Sequence, residues 1–319
     1  MKGSARAHPI QGLVKYHGLR NTALNVPYHD SISVCTAPSE TRTTVEFGYD
    51  TDTCHVDGSA IDAEGYERVT TVIDHVRKLS GVDSHARVVS ENNFESNIGL
   101  GASASAFAAL ALAAATAVGL DLSRSELSAL ARRGATSAAR SVTGGFSHLH
   151  TSMSDEDCIA ERVPDSFDED IRIVVGVVSK YKLTSRAHTE TPQSHLFQGR
   201  LAHIHNVLVE MREAIQNGNF ESTFALAERD SLNLLAVTMT GPEGWVYWQP
   251  ETLKLLRLAR RLRETGIPVY FSSDTGATAY LNTTAEYAEE VSDEVEALDI
   301  ESRIWHIGGR AEKINGHLF

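Results

Sequence analysis

The stretch that decides the fold reads Ser96-Asn97-Ile98-Gly99-Leu100-Gly101-Ala102-Ser103-Ala104-Ser105-Ala106. Gly99 and Gly101 permit tight turns and a close approach of the backbone to a ligand. The apolar run after them predicts a buried helix from about Ser103 to Val118. Because the start of a helix carries unpaired N–H groups and partial positive charge, this loop can bind a phosphate group. A plain helix start in a protein core would use the same residue types.

The spacing of the loop excludes two common phosphate-binding motifs. No Gly-Lys-Ser/Thr follows, so it is not a Walker loop. Ala104 stands at the sixth position counted from Gly99, where a GxGxxG loop has its last glycine. The loop therefore predicts a phosphate site of another type.

The composition limits the class of protein. The chain has 319 residues, 42% of them hydrophobic, which suits two packed domains or one large α/β unit with a substantial core. The 29 Lys and Arg against 42 Asp and Glu give a net charge of −13. This charge argues against general binding of nucleic acid and against an anionic membrane surface.

The sequence carries no predicted membrane or export segment. The N-terminus lacks an apolar signal region, and the alanine-rich run from Ala106 to Leu120 is shorter than the roughly 20 residues that a bilayer requires. We expect a soluble, cytoplasmic protein that binds a small anion in a locally cationic pocket.

The cysteines and histidines do not predict a bound metal. The three cysteines are scattered, without a CxxC pair, which favours neither a disulfide framework nor a zinc ribbon. Two histidine pairs, His148/His150 and His203/His205, have i, i+2 spacing, which on a helix places the two side chains on different faces. No HExxH motif is present. We therefore expect no metal ion bound by the protein itself.

The predicted elements are strand-rich in the first half and helix-rich in the second. Helical spacing of apolar residues appears over Tyr66–Leu79, and Ser123 with Glu126 predicts a capping box at the next helix. The polar segment from Gly48 to Gly58 is interpreted as a turn or hairpin tip. The change in character near residue 180 predicts two domains, residues 1–180 and 181–319. Other predicted strands lie at residues 31–35, 43–47, 86–90, 172–178, 267–272 and 304–307, and other predicted helices at 193–217, 221–236, 250–265 and 286–298.

The loop resembles the Gly-Leu-Gly/Ala-Ser-Ser-Ala motif of the GHMP small-molecule kinase superfamily. Lys15-Tyr16-His17-Gly18 is similar to the Lys-Tyr-Trp-Gly-Lys motif of one branch, the mevalonate diphosphate decarboxylases. The further blocks that resemble this family, in family order, are Pro27 with Asp30-Ser31-Ile32-Ser33, Ser137-Ala138-Ala139-Arg140-Ser141 with Gly144-Gly145, Thr184-Ser185-Arg186, and Tyr270-Phe271-Ser272-Ser273-Asp274-Thr275-Gly276-Ala277. The resemblance implies an α/β (α+β) two-domain fold with the active site in the cleft between the domains, and a homodimer.

The resemblance also implies an enzyme, a carboxy-lyase of isoprenoid biosynthesis. In this family ATP, with Mg²⁺ bound to the nucleotide, phosphorylates a tertiary 3-hydroxyl, and CO₂ and phosphate then leave to give an alkene. Asp274 matches the residue that orients the hydroxyl and accepts its proton. Lys15 matches the active-site lysine, whose charge keeps a carboxylate ionised. Arg140 matches the arginine that holds the substrate carboxylate with its guanidinium fork.

Plain structural interpretations of these three residues exist: an aspartate at a turn, an edge lysine and a helix-end arginine. Lysine is scarce, at seven positions against 22 arginines, so a lysine directly after Gly12-Leu13-Val14 is informative. The residues that the resemblance assigns to the phosphates of ATP are Gly99, Leu100, Gly101, Ala102, Ser103 and Ser105. Those that it assigns to the substrate are Tyr16, Ser137, Ser185 and Arg186.

The departures from the family motif bear on the substrate. Leu19 replaces the second lysine, which contacts the diphosphate of the substrate in the family, and His17 replaces the tryptophan. These changes resemble the archaeal-type branch, phosphomevalonate decarboxylase, which converts 5-phosphomevalonate to isopentenyl phosphate. Arg20 is able to replace the missing charge, which keeps the 5-diphosphate as an alternative. A 3-kinase without decarboxylation, and a nucleotide-binding protein without catalysis, are the remaining alternatives.

Overall fold

The computed structural model describes residues 1–95, 100–178 and 188–319. Its strands are β1 (Lys2–Ala7), β2 (Ile10–Val14), β3 (Leu19–Asn21), β4 (Val26–Pro27), β5 (Ser31–Ala37), β6 (Thr41–Tyr49), β7 (Thr53–Val56), β8 (Ser59–Ala60), β9 (His85–Asn92), β10 (Phe146–Leu149), β11 (Ala160–Arg162), β12 (Ile171–Gly176), β13 (Tyr270–Ser273), β14 (Ala279–Thr284), β15 (Ser302–Ile307) and β16 (Glu312–Lys313). Its α-helices are α1 (Ala63–Ser80), α2 (Ala102–Ala117), α3 (Arg124–Gly134), α4 (Ala138–Thr143), α5 (Phe197–Gln216), α6 (Phe220–Met239), α7 (Pro250–Glu264) and α8 (Ala288–Glu296).

The first layer is a six-stranded sheet in the order β16-β1-β6-β9-β7-β8, covered by α2. The helix α2 is alanine-rich and buried on nearly every side, so it needs no amphipathic pattern. Its small side chains let the backbone of β1 approach closely: a Cβ added to Gly3 would lie 2.5 Å from the carbonyl oxygen of Ala113. The core of this layer is completed by α1, α3 and α4.

The second layer is an eight-stranded sheet that mixes strands from both halves of the chain. Its order is β11-β10-β5-β15-β12-β14-β13, with β2 paired to β5. Thus β5 from the first half bonds to β15 from the second, through the register pairs His306 with Ala37 and Ile307 with Thr36. The predicted boundary near residue 180 falls among residues 179–187, outside the described residues.

Most predicted elements are confirmed. The helix predicted over Tyr66–Leu79 is α1, the helix predicted after the glycine-serine loop is α2, and the capping box of Ser123 and Glu126 is present. The interpretation of Gly48–Gly58 as a turn is wrong in part, because its residues 53–56 form β7, which pairs in parallel with β9. In the part of the chain that the structure describes, no helix is long and apolar enough to cross a bilayer.

The assumption of a helix around His148 is wrong as well. His148 lies on β10 and His150 follows its end, so the i, i+2 spacing places both rings on one side of the chain. Their ring centroids are 4.0 Å apart. The pair His203/His205 does lie on a helix, α5.

The close contact of β1 with α2 predicts a large effect of one methyl group. We expect Gly3→Ala to destabilise the protein by about 1–3 kcal/mol, because the new Cβ overlaps backbone atoms of α2 that cannot rotate away. Urea denaturation followed by circular dichroism measures this change. The matched control is Gly199→Ala, at an exposed helical glycine with open space around it, which should stabilise by about 0.5–1 kcal/mol. Equal effects of the two variants would contradict the packing described.

Candidate active site

A pocket lies where the start of α2 meets the segment after β2. Residues far apart in the sequence line it, because β2, α4 and the segment after β13 converge on the first turn of α2. The lining residues are Ile10, Gly12, Lys15, Tyr16, His17, Leu100, Gly101, Ala102, Ser103, Ala104, Ser137, Arg140, His188, Asp274 and Thr275. The pocket therefore brings together the three predicted catalytic residues and most of the predicted phosphate loop.

The first turn of α2 faces the pocket with its backbone. Gly101 is the N-cap, with a left-handed φ of 73° and no side-chain cap. A Cβ at this position would lie 2.7 Å from the carbonyl oxygen of Ile10, so only glycine fits. The exposed Ser103 lines the pocket. Ser105 does not, because its hydroxyl is buried against the Thr41 hydroxyl at 2.7 Å.

Asp274 is positioned by a backbone amide from the other half of the chain. The N–H of Gly12 donates to Asp274 Oδ1 at 2.9 Å, and the Tyr280 hydroxyl lies 3.5 Å from Oδ2. A Cβ on Gly12 would lie 2.9 Å from Asp274 Oδ1 and 2.8 Å from Lys15 Cγ. The missing side chain of Gly12 therefore lets the carboxylate and the lysine stem come together.

Lys15 is buried in a network of charges that the sequence interpretation missed. Its Nζ lies 3.5 Å from Asp230 Oδ2 and donates to Ser231 Oγ at 3.0 Å. Its backbone N–H also donates to Asp230 Oδ2, at 3.0 Å. Arg200 closes the network: it donates to Asp230 Oδ1 at 2.9 Å and to the Lys15 carbonyl.

Opposing effects set the charges of this network. Burial lowers the pKa of Lys15, and the charge of Arg200 adds to this, while Asp230 and Asp274 oppose it. Burial alone would raise the pKa of Asp230, but the charges of Arg200 and Lys15 outweigh it and lower that pKa. Asp230 is thus held ionised, and Lys15 gives up a proton more easily than an exposed lysine does.

Arg140, on α4, lines the pocket and has guanidinium nitrogens without a hydrogen-bond partner in the described part of the chain. It is 3% exposed, and its Nε and Nη1 have no hydrogen-bond partner among the described residues. Its guanidinium carbon lies 5.4 Å from the centroid of the Tyr16 ring. Burial lowers the pKa of Arg140, although the neighbouring Tyr16 and Asp274 oppose this. A buried guanidinium with two open donors is suited to bind a carboxylate.

The remaining predicted substrate residues divide into two groups. Tyr16 and Ser137 line the pocket. Burial raises the pKa of the Tyr16 hydroxyl, although Arg140 and hydrogen bonds to Thr136 and Ser137 oppose it. Ser185 and Arg186 lie outside the described residues, as does Gly99 of the predicted phosphate loop.

Two histidines complete the wall beside Tyr16. The ring of His188 stacks on Tyr16 with centroids 5.2 Å apart, and His17 meets His188 edge-on at 5.3 Å. The Gly18 N–H donates to His188 Nδ1 at 3.3 Å, so Nδ1 accepts and the ring carries its proton on Nε2 when neutral. The sequence interpretation did not single out His188.

Arg20, the candidate replacement for the lysine missing at position 19, does not point its charge into the pocket. Its guanidinium donates to the carbonyl of Ser152 and contacts the Met153 sulfur at 3.2 Å. Arg20 does not line the pocket, and neither does Leu19.

Comparison with known proteins settles the family. Residues 7–160 match the diphosphomevalonate decarboxylase-like N-terminal domain. The chain is 53% identical to phosphomevalonate decarboxylase of Haloferax volcanii, over 99% of this chain and 98% of that one. The chain belongs to the diphosphomevalonate decarboxylase-like family. Two solved members of this family are mevalonate diphosphate decarboxylases, from Staphylococcus aureus (TM-score 0.94, 29% identity, 98% of both chains) and Enterococcus faecalis (TM-score 0.92, 28% identity, 99% of both chains).

The family motifs explain why Asp230 and Arg200 were missed. Both residues lie in helices outside the motif blocks. A signal was present in α6, where Phe224, Ala227 and Leu234 follow helical spacing on a buried face and Asp230 interrupts that face. A charged residue on an apolar helix face needs a buried partner, which here is Lys15.

The buried network predicts a strong dependence of stability on Asp230. We expect Asp230→Asn to cost about 3–5 kcal/mol at pH 7, because Lys15 and Arg200 then lose their buried counter-charge. Urea denaturation at several pH values measures this. The matched control is Asp74→Asn, whose carboxylate is 66% exposed, with an expected change within about 0.5 kcal/mol.

The pH dependence of the Asp230→Asn effect follows from its lowered pKa. A carboxyl group with a lower pKa in the folded state stabilises the fold above its unfolded pKa of about 3.9. That contribution disappears as the pH falls through the folded pKa. The gap between wild type and Asp230→Asn should therefore be full at pH 7 and shrink in acid; a gap that widens in acid would contradict the ion pairing.

Proposed function

We propose that this protein is an ATP-dependent phosphomevalonate decarboxylase, which converts 5-phosphomevalonate to isopentenyl phosphate, ADP, phosphate and CO₂. The single observation that carries the proposal is the set of groups in one pocket. The Arg140 guanidinium with open donors, the Asp274 carboxylate and the first turn of α2 all line it. The guanidinium would bind the carboxylate of the substrate, and Asp274 would accept the proton of its hydroxyl. The first turn of α2 would bind a phosphate group.

The reaction balances with these groups in place. Asp274 accepts the proton of the substrate's 3-hydroxyl, the oxygen of that hydroxyl attacks the terminal phosphoryl group of ATP, and ADP leaves. The carbon–carbon bond to the carboxylate then breaks, its electron pair forms the alkene, and the 3-phosphate leaves with the pair of the carbon–oxygen bond. Lys15 lies near Asp274 in the same pocket, and the negative charge of Asp274 favours the charged form of Lys15.

Arg140 is the residue that distinguishes a lyase from a 3-kinase. A kinase needs a base for the hydroxyl but no clamp for the carboxylate. Arg140 lines the pocket, is 3% exposed, and has two guanidinium nitrogens without a hydrogen-bond partner among the described residues, which an anionic group of the substrate would satisfy. This supports decarboxylation over phosphorylation alone.

The preference for the monophosphate has two supports. The full-length relative at 53% identity is a phosphomevalonate decarboxylase, whereas a diphosphomevalonate decarboxylase of Saccharomyces cerevisiae is 34% identical over 76% of this chain. Leu19 also supplies no charge, and Arg20 is bound to Ser152. A binding region without these two charges suits one phosphate group better than two. The 5-diphosphate remains the second candidate substrate.

ATP with Mg²⁺ is the proposed co-substrate. In the Enterococcus faecalis enzyme mevalonate diphosphate mediates ATP binding, and a further related structure is a complex with MVAPP, AMPPCP and magnesium. Gly101, Ala102 and Ser103 would hold the nucleotide phosphates through the first turn of α2. Three predictions from the sequence stay predictions: the homodimer, the cytoplasmic location and the division into two domains. Sedimentation equilibrium tests the homodimer.

Replacing the proposed base gives the first functional test. Asp274→Asn should lower turnover about 10²–10⁴-fold, since the amide cannot accept the hydroxyl proton, while ATP binding is retained. Coupled ADP release measures turnover, and fluorescent nucleotide titration measures binding. Asp74→Asn, on the surface helix α1, is the control and should keep wild-type turnover. Near-wild-type turnover of Asp274→Asn would show that another group is the base.

A substrate panel separates the alternatives. With ATP and Mg²⁺ we expect ADP and CO₂ in equal amounts from 5-phosphomevalonate, and at least tenfold lower kcat/KM with mevalonate or its 5-diphosphate. ADP without CO₂ would indicate a 3-kinase. Turnover on the diphosphate alone would overturn the interpretation of Leu19.

A further inference from the structure

A second polar cluster lies at the end of β10, formed by residues that the proposed reaction does not use. Its members are Asp30, which directly precedes β5, His148 on β10, and His150 just after β10. His148 is 7% exposed, and the other two are half-buried. None of the three lines the pocket of Asp274. The antiparallel pairing of β5 with β10 holds the cluster together, since Ser31 is opposite Leu149.

The three side chains converge through atoms that bind metals. Asp30 Oδ2 lies 3.0 Å from His148 Nε2 and 3.4 Å from His150 Nδ1, and all three donor atoms lie within 4.8 Å of one another. Around a tetrahedral ion with bonds of about 2.0–2.1 Å, two donor atoms are separated by about 3.3 Å. The two separations from the carboxylate oxygen bracket this value and the two ring nitrogens lie within 4.8 Å of each other, so one ion can reach all three donors after shifts of the side chains.

The outer contacts of the cluster orient the donors. The Thr151 N–H donates to Asp30 Oδ1 at 2.7 Å, which fixes the carboxylate and leaves Oδ2 facing the histidines. His150 Nε2 lies 3.1 Å from Glu161 Oε1, on β11. A histidine that binds a metal through one ring nitrogen commonly donates its other N–H to a carboxylate, and His150 with Glu161 has this arrangement.

Arg212, on α5, is the group that opposes a cation here. Its Nη1 lies 3.2 Å from His148 Nδ1 and 2.7 Å from Glu161 Oε1. When a metal binds Nε2 of a neutral His148, the proton moves to Nδ1, and Arg212 then keeps only its contact with Glu161. Arg212 therefore weakens the binding of a cation without blocking it, and removing its charge should strengthen binding.

We propose that Asp30, His148 and His150 form a binding site for one divalent transition-metal ion of the zinc type, separate from the Mg²⁺ that accompanies ATP. Two imidazole nitrogens and one carboxylate oxygen are a donor set that Zn²⁺ accepts, whereas Mg²⁺ prefers oxygen alone. Asp30 and His150 are partly exposed to solvent, so a water molecule would be the fourth ligand. The ion would link β5 and β10 at the end of the eight-stranded sheet.

Titration of the full-length, chelator-treated protein with Zn²⁺ and with Co²⁺ tests the proposal. Calorimetry should show one Zn²⁺ per chain, and Co²⁺ should give the visible absorption of a four-coordinate site without thiolate bands. Asp30→Asn and His150→Gln should each weaken Zn²⁺ binding at least tenfold; the asparagine keeps an oxygen for the Thr151 amide. Arg212→Gln should strengthen binding about threefold or more. Circular dichroism verifies the fold of each variant.

The control is a second pair of histidines with i, i+2 spacing, which lies on a helix and not beside Asp30. His203→Gln with His205→Gln removes the i, i+2 pair of α5, where both side chains are exposed, and should leave Zn²⁺ affinity unchanged. The proposal is overturned if wild type binds Zn²⁺ no more than threefold tighter than His150→Gln, or if the α5 variant abolishes binding. An affinity that Arg212→Gln leaves unchanged or lowers would overturn the placement of the ion at His148 Nε2.

Discussion

The buried charge network of Lys15, Asp230 and Arg200 is the interaction on which the site depends. It binds the end of β2 to α5 and α6 through both side chains and backbone, since Asp230 accepts from the Lys15 N–H and Arg200 donates to the Lys15 carbonyl. Removing charges from water is expensive, so such a network persists only where each member has its partner. The network fixes the path of the chain on the C-terminal side of Gly12, whose amide holds Asp274.

The chemistry of the pocket follows from this fixed path. Lys15 and Asp274 come from positions 259 residues apart and meet because Gly12 has no side chain between them. Arg140 enters from α4 and α2 presents its first turn from the opposite layer. The net charge of −13 belongs to the whole chain, whereas the pocket is lined by two basic residues, Lys15 and Arg140, and one acidic residue, Asp274.

The sequence was sufficient for most helices and for the motif residues that line the pocket. Lys15, Arg140 and Asp274 lie in blocks that resemble a known family, and their placement together needed no tertiary information beyond that resemblance. Ser105 shows the limit of this approach: two serines in one loop look equivalent, yet a helical turn directs Ser103 to the pocket and Ser105 to Thr41. Arg200 and Asp230 required the packing of α5 and α6 against β2, which periodicity alone does not define. The strand β7 is short, polar and at a sheet edge, where the apolar alternation that identifies strands is weak.

The shared eight-stranded sheet has a mechanical consequence. Strands from both halves of the chain are hydrogen-bonded neighbours in it, and β16 from the far end of the chain pairs with β1 in the other sheet. A hinge rotation of one half against the other would break the β5–β15 and β1–β16 ladders, unlike hinge motions in enzymes whose domains are joined only by linkers. The strand β2, which lines the pocket with Ile10 and Gly12, is accordingly part of a sheet that both halves of the chain share, so this wall of the pocket resists a rotation of either half alone.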